Sequence, residues 1–282
     1  MSALPPQFSK EFSLTPISDF EFKKLAELAA SIAGLTFPEG KKALVQSRVS
    51  KRLRALGLKS FDEYIRFAQR NPEQENDHLI SVLTTNVTSF YREVHHFDFM
   101  KSEVFAPLRT QLLKGDPVRI WSAGCSTGQE PYTIAMEASK AVPNIADKDF
   151  KILATDIYKA ILAQAASGKY LEMDIEGIPA SLQKKFLQRQ GNRFEVSKSI
   201  KDLVTFEALN LHDHWPMRDR FDVIFCRNVV IYFDDDKKSQ LWPRFNEMLK
   251  PGGYLMLGHS ERIHPIAGSG FKSVGVTSYK KS

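Results

Sequence analysis

Long apolar runs are missing from this chain. Of its 282 residues 43% are hydrophobic and 26% charged, but no uninterrupted apolar stretch approaches the roughly 18 residues that a membrane-spanning helix needs, so membrane insertion is not expected. Cysteine is nearly absent. Cys125 and Cys226 each stand beside an apparent strand end, outside any metal or redox spacing, which reads as reduced thiols in a cytoplasmic protein. The opening MSALPPQFSKEFSLTP carries two prolines and no basic stretch leading into an apolar one, so it reads as a loose arm and not a secretory signal. Internal repeats, low-complexity tracts and a heptad seam are also lacking, and a monomer is the expected state. The charge is not balanced: 39 Lys and Arg oppose 33 Asp and Glu, for a net +6 and a pI near 9.1. This favours an acidic partner, though composition alone leaves nucleic acid, membrane surface and acidic protein all open.

What remains is organised in two parts. After the arm at 1–17, residues 18–85 are helical in pattern. Phe22, Leu25, Ala26, Leu28, Ala29 and Ile32 recur at helical spacing before Gly34, with Ser18 or Asp19 to cap them. A second helix is expected from Glu39 to Leu56, a third after Ser60, and a fourth from Glu75 to Thr85, with Asn71 and Pro72 punctuating the gap. Residues 86–117 form a polar, aromatic junction and a connecting helix to about Leu113. From 118 to 282 the pattern changes to short apolar runs, Val118–Trp121, Phe150–Thr155, Val204–Leu209, Phe221–Cys226 and Tyr254–Leu257, mostly separated by helix-length segments. That alternation predicts an α/β domain with a doubly wound, mostly parallel sheet. A small β insertion is expected near 182–206, where Phe194, Val196 and Ile200 alternate loosely with polar residues.

The strongest local signal is the stretch Val118-Arg-Ile-Trp-Ser-Ala-Gly-Cys-Ser-Thr-Gly-Gln-Glu130, a strand, a glycine-bearing turn and a helix start. Gly124 and Gly128 suit close backbone approach to a ligand. Their spacing is G-x-x-x-G and not the dinucleotide G-x-G-x-x-G, and Glu130 would repel a pyrophosphate while suiting a positive amino group or sulfonium. The reading moves from NAD to S-adenosylmethionine. Asp156 ends the next strand, where it could take ribose hydroxyls or cap the following helix. Asn210 and Leu211 follow another strand end, and Arg227, Asn228 and Tyr232 crowd polar groups onto the same edge of the sheet. His95 and His96, adjacent at a helix start, lack metal-ligand spacing, and no metal is expected. Ser/His/Asp and Cys/His constellations are not found either.

The strings TTNVTSFYRE with its two following histidines, WSAGCSTGQEPYTIA, ATDI, CRNVVIYF and LKPGGYLMLGHSE occur in that order. With them the chain resembles the chemotaxis receptor glutamate methyltransferase family, CheR-type, from about Ser18 to Tyr279. The resemblance implies a helical domain joined to a Rossmann-like class I methyltransferase domain that carries a small antiparallel β subdomain. It places the cofactor against Asn86, Thr88, Arg92, Glu130, Asp156, Asn210, Leu211, Arg227 and Asn228, with Tyr232 close to the transferred methyl and Arg92 helping to hold the acceptor carboxylate or the cofactor, these two being the catalytic candidates. It also implies the product S-adenosylhomocysteine and a glutamate 5-O-methyl ester, made for sensory adaptation.

Six basic residues and no acidic one lie between Lys41 and Arg54. Most charged helix faces are merely solvated, but this bias suggests that Lys41, Arg48, Lys51 and Arg52 bind substrate, which the resemblance identifies as the acidic helical region of the receptors. The turn near Gln190-Gly-Asn-Arg193 lacks the insertion with which some relatives hold a C-terminal receptor pentapeptide, so such a peptide is expected to bind weakly or not at all. Two other readings stay open: a methyltransferase of this fold acting on nucleic acid, marked by salt-sensitive RNA binding, and a cofactor sensor without turnover. Nucleic acid is not the expected partner.

Overall fold

Ser18 opens helix α1 (Asp19–Ala33) through a capping box. Its hydroxyl accepts from the Glu21 amide at 3.2 Å, and the Glu21 carboxylate accepts from the Ser18 amide at 2.8 Å. The structure, a computed structural model, describes residues 16–266 and 268–282, so nearly all of the arm expected at 1–17 lies outside the described residues. Helix α2 (Lys42–Leu56) is entered through a 3-10 turn at Glu39–Lys41, and α3 (Phe61–Arg70) and α4 (Pro72–Leu83) follow. The fourth helix begins earlier than its expected start at Glu75. Pro72 is its first residue, a position where the missing N–H has no intrahelical partner to lose and the fixed φ is already helical.

Val45, Val49 and Leu53 of α2 are buried, as are Leu25 of α1, Tyr64 of α3 and Leu79 and Leu83 of α4. One carboxylate lies among them. Glu75 has no solvent exposure and is held by Arg52 through Nε to Oε1 at 3.0 Å and Nη2 to Oε2 at 2.7 Å, while the Tyr64 hydroxyl donates to Oε1 at 2.7 Å. A compact unit ends at Thr85 and a second begins at Asn86.

In the second unit α5 (Val94–Phe99) runs through a π-turn at Met100–Val104 into α6 (Phe105–Leu113), so the expected connecting helix is interrupted once. The elements that follow are β1 (Val118–Ala123), α7 (Gln129–Ala141), β2 (Phe150–Asp156), α8 (Lys159–Ser167), β3 (Lys169–Leu171), α9 (Ala180–Phe186), β4 (Leu187–Gln190) and β5 (Arg193–Val196). Then come α10 (Lys198–Lys201), β6 (Val204–Ala208), β7 (Phe221–Cys226), α11 (Asp235–Met248), β8 (Leu249–Leu257), β9 (Phe271–Gly275) and β10 (Ser278–Lys281).

A seven-stranded sheet takes the order β6-β2-β1-β7-β8-β10-β9. β6, β2, β1, β7 and β8 pair in parallel and β10 is antiparallel to both neighbours. Every residue of β7 is buried, as expected of a parallel strand covered on both faces. Strand order reverses between β1 and β7, so the crevice that open α/β sheets use for ligands lies outside the carboxyl ends of the parallel strands, at Ala123, Asp156, Ala208, Cys226 and Leu257.

The small sheet, ordered β3-β5-β4, is antiparallel. Its β4–β5 hairpin lies inside the stretch 182–206, but β3 comes from upstream, Ala180–Phe186 is helical, and Val204 onward belongs to the large sheet. Strand β3 escaped the sequence pattern because three residues are too few to show alternation. Its buried anchor is Tyr170, packed edge-on against Phe90 at 4.9 Å between ring centres.

Candidate functional site

Strand β1 leads into a turn in which Gly124 and Gly128 have φ of +82° and +91°, values that side chains with a Cβ rarely adopt. The amides of Gly124 and Cys125 donate to the Thr155 carbonyl at 2.7 and 2.9 Å, which pulls the turn toward the end of β2. There Asp156 accepts from the Ser126 amide at 2.9 Å and the Tyr158 amide at 3.2 Å. Burial raises its pKa, and these amides oppose that rise. The Ser126 hydroxyl donates to the Asn86 carbonyl at 3.0 Å, so one serine joins two of the residues proposed for the cofactor. The Leu209 amide donates to the Asp156 carbonyl at 2.9 Å and sets Asn210 and buried Leu211 just beyond β6, on the same edge.

A second group forms around Arg227, which is 6% exposed although arginine is seldom buried. Its Nη1 lies 3.2 Å from Glu130 Oε2 and its Nε 3.4 Å from Glu93 Oε2, and Nη2 donates to the Arg92 carbonyl. The other oxygen of Glu130 accepts from the Ser122 hydroxyl at 2.7 Å. Burial raises the Glu130 pKa, against the pull of Arg227 and Ser122. At Glu93 burial also disfavours the charge, but Arg227, His259 and Asn228 outweigh it and hold the carboxyl at about 2. Arg92 Nη1 donates to the Val87 carbonyl at 2.7 Å, folding the junction back on itself. Thr88 is half-buried in that junction, and Tyr91 anchors it by donating to Glu137 at 2.7 Å.

His96 is fully buried, with Nε2 2.9 Å from the Thr277 hydroxyl. Burial, Arg227 and His95 lower its pKa to about 3, so it is neutral and weakly basic near pH 7. The spacing of His95 and His96 gave no hint of a cluster, yet potential ligand atoms of Glu93, His95 and His96 lie within 4.8 Å of one another. The guanidinium of Arg227 already sits against Glu93 and opposes a second cation there.

The third loop carries Asn228, with φ +58°, and a 3-10 turn at Val230–Tyr232 in which Tyr232 is half-buried. A Cβ on Gly124 would meet Val229 Cγ2 at 2.3 Å, so close packing of this loop, as well as room for a ligand, requires glycine at that position. Asn86 and Asp156 share Ser126, and Arg92, Glu130 and Asn228 gather around Arg227 and Glu93, two hydrogen-bonded groups along one edge of the sheet, with Asn210, Leu211 and Tyr232 beyond the adjoining strand ends. Reasoning from strand ends did not reach Ser122, Ser126, Glu93 or Glu261, although the strings around Arg92 and after Gly258 contained the two glutamates.

Lys41, Arg48, Lys51 and Arg52 belong to the first unit. Lys41 and Lys51 are exposed, whereas Arg48 donates to the Leu83 carbonyl at 2.7 Å and to the Thr85 hydroxyl, and Arg52 holds Glu75.

S-adenosylmethionine fits this edge on its own chemistry. Asp156 is a carboxylate with acceptor capacity beyond the backbone amides it already holds, as a ribose diol requires. The neighbouring turn is glycine-shaped, and Glu130 offers a carboxylate nearby. Comparison with known proteins agrees. The family model described as CheR methyltransferase, SAM binding domain, matches residues 86–280, and the one described as CheR methyltransferase, all-alpha domain, matches residues 21–84. A probable chemotaxis protein methyltransferase of Rhizobium etli is 45% identical, covering 89% of this chain and 95% of that protein. A chemotaxis protein methyltransferase of Borreliella burgdorferi is 41% identical over 88% of this chain and 89% of its own length, and that of Escherichia coli is 35% identical over 88% and 86%. The chain therefore belongs to the CheR methyltransferase family and is an S-adenosylmethionine-dependent methyltransferase.

Proposed function

We propose that this enzyme transfers a methyl group to glutamate side chains in the acidic helical region of chemotaxis receptors, giving glutamate 5-O-methyl esters for sensory adaptation. The carrying observation is the pair of hydrogen-bonded groups along one sheet edge, Asn86 and Asp156 through Ser126, and Glu130 with Arg227. A free glutamate, with a pKa of about 4.3, is already ionised near neutral pH and needs no base. His96, the buried imidazole nearest the cluster, is held neutral with a pKa of about 3 and cannot serve as one there.

When bound, S-adenosylmethionine supplies a methyl group made electrophilic by its sulfonium centre. In this reading Asp156 binds the ribose, and Asn210 and Leu211 close one side of the nucleoside. Glu130, with Arg227 and Asn228, fixes the amino acid end, while Asn86 and Thr88 line the junction side. Arg92 and Tyr232 align the acceptor carboxylate and exclude water, the contributions that this chemistry needs most. Lys41 and Lys51, with Arg54 of the same run, are exposed charges available to draw an acidic helix. Arg48 and Arg52 add to that field while also bonding within their own unit.

The test is transfer of radiolabelled methyl to receptor-enriched membranes, followed by mild base. Base-labile label that disappears in Asp156→Ala supports the reading; base-stable label or none removes it. A receptor-tail pentapeptide should give no micromolar binding isotherm, because only Gly191 and Asn192 separate β4 from β5. A clear micromolar isotherm would refute that expectation.

A further inference from the structure

Glu261 is 3% exposed and has no part in the reading above; Arg262 donates to its backbone carbonyl at 2.6 Å, but among the described residues no basic side chain pairs with its carboxylate. Its carboxylate accepts from backbone amides alone: Gly258 at 2.6 Å and Asn228 at 2.9 Å on one oxygen, and Ile231 at 3.2 Å on the other. Those amides belong to two separate loops, the one after β7 that carries Asn228 and Tyr232 and the one after β8. The first loop is packed through Val229 against Gly124 and through buried Val230, and Glu261 adds a bond to its backbone at both ends of the Asn228–Ile231 stretch. Asn228 is left-handed with φ +58°, a conformation that a non-glycine residue keeps only when its surroundings impose it. Glu93 holds the Asn228 side chain at 3.3 Å, while Glu261 holds its backbone. Gly258 is shaped for this arrangement, because a Cβ there would lie 2.6 Å from Asn228 Nδ2 and 2.8 Å from Glu261 Oε2.

We infer that Glu261 is a positioning residue for methyl transfer: its carboxylate fixes the Asn228–Tyr232 loop in its working conformation without touching cofactor or acceptor. The inference rests on the proposed placement of Asn228 and Tyr232 at the site. Without a full carboxylate the loop would relax, and displacements of about 1 Å at a reacting centre can cost on the order of 100-fold in rate.

The test is a double-mutant cycle on the full chain. Wild type, Glu261→Gln, Asn228→Ala and the double variant are compared for S-adenosylhomocysteine affinity by calorimetry and for kcat and receptor KM, after circular dichroism shows each to be folded. Glu261→Gln should weaken S-adenosylhomocysteine binding about tenfold and lower kcat more than it raises receptor KM, with little further loss when Asn228→Ala is already present. Additive losses, or wild-type affinity in Glu261→Gln alongside weakened binding in Asn228→Ala, would overturn the positioning role and leave the proposed site standing. Wild-type affinity in Asn228→Ala would overturn both. Should Glu261→Gln fail to fold, Gly258→Ala disturbs the same clasp without removing the charge and should reproduce the loss of affinity; wild-type affinity in that variant would likewise overturn the role.

Discussion

Arg52 donates through Nε and Nη2 to a carboxylate with no solvent exposure, whereas its neighbour Lys51 is exposed. One basic run thus contains two kinds of charge. Replacing Arg52 by Ala strands Glu75 in the core, and loss of one partner of a buried pair costs about 3–5 kcal/mol, to be read as a lowered urea midpoint. Lys51→Ala should leave that midpoint in place and raise the KM for receptor. Gly124→Ala meets both a left-handed backbone at φ +82° and the Val229 side chain at 2.3 Å. Strain of that kind costs about 1–3 kcal/mol, and S-adenosylhomocysteine binding measured by calorimetry should fall with it. Val229→Ala in the same chain should recover part of the loss, since it removes the clash and not the backbone strain. The sequence marked Gly124 for ligand approach; its second constraint could be seen only once Val229 was in place.

The start of α1 was legible within one residue. Of the two caps left open, Ser18 is the one used, with Glu21 closing the capping box, and the second Glu21 oxygen accepts from the Asp62 amide at 3.2 Å, tying the start of α3 to the start of α1. Ser18→Ala should cost about 1 kcal/mol in urea unfolding, and Glu21→Ala more, because it releases two helix ends. Elements that depend on distant partners were harder to read. The pattern carried no trace of the π-turn at Met100–Val104, and β3 is defined by pairing with β5 across more than twenty residues, as at Tyr170 opposite Phe194.

Across the methyltransferase unit, two groups whose shifts favour acid unfolding sit together. His96 is depressed from 6.5 to about 3 by burial, Arg227 and His95. Below pH 6.5 the unfolded chain therefore takes a proton that the folded one refuses, and stability falls as pH drops toward 3. Glu93, lowered from 4.5 to about 2 against its own burial, contributes stability that is present above pH 4.5 and lost as pH falls toward 2. Both slopes have the same sign. Each approaches about 1.4 kcal/mol per pH unit within its window; Glu130, Asp156 and Glu261, whose pKa values burial raises, slope the opposite way, so the two contributions are read as differences between variant and wild-type urea midpoints across pH. His96→Gln should flatten only the upper part; an unchanged slope between 6.5 and 4.5 would show that His96 is not the group responsible.

Sequence alone determined what depends on local period and residue chemistry: the α/β alternation, the helical first unit, the glycine turn, and the acidic residues Glu130 at a helix start and Asp156 at a strand end. These are legible because strand and helix periods and the left-handed tolerance of glycine act within a few residues. Tertiary structure alone decided which charges are spent internally. Arg227 meets Glu93 and Glu130 from positions far apart in the chain, Arg52 meets Glu75, and Glu261 gathers amides from two loops. Such partnerships follow from burial, where an ionised group must find its counterpart wherever the fold brings one, and no spacing along the chain records that choice.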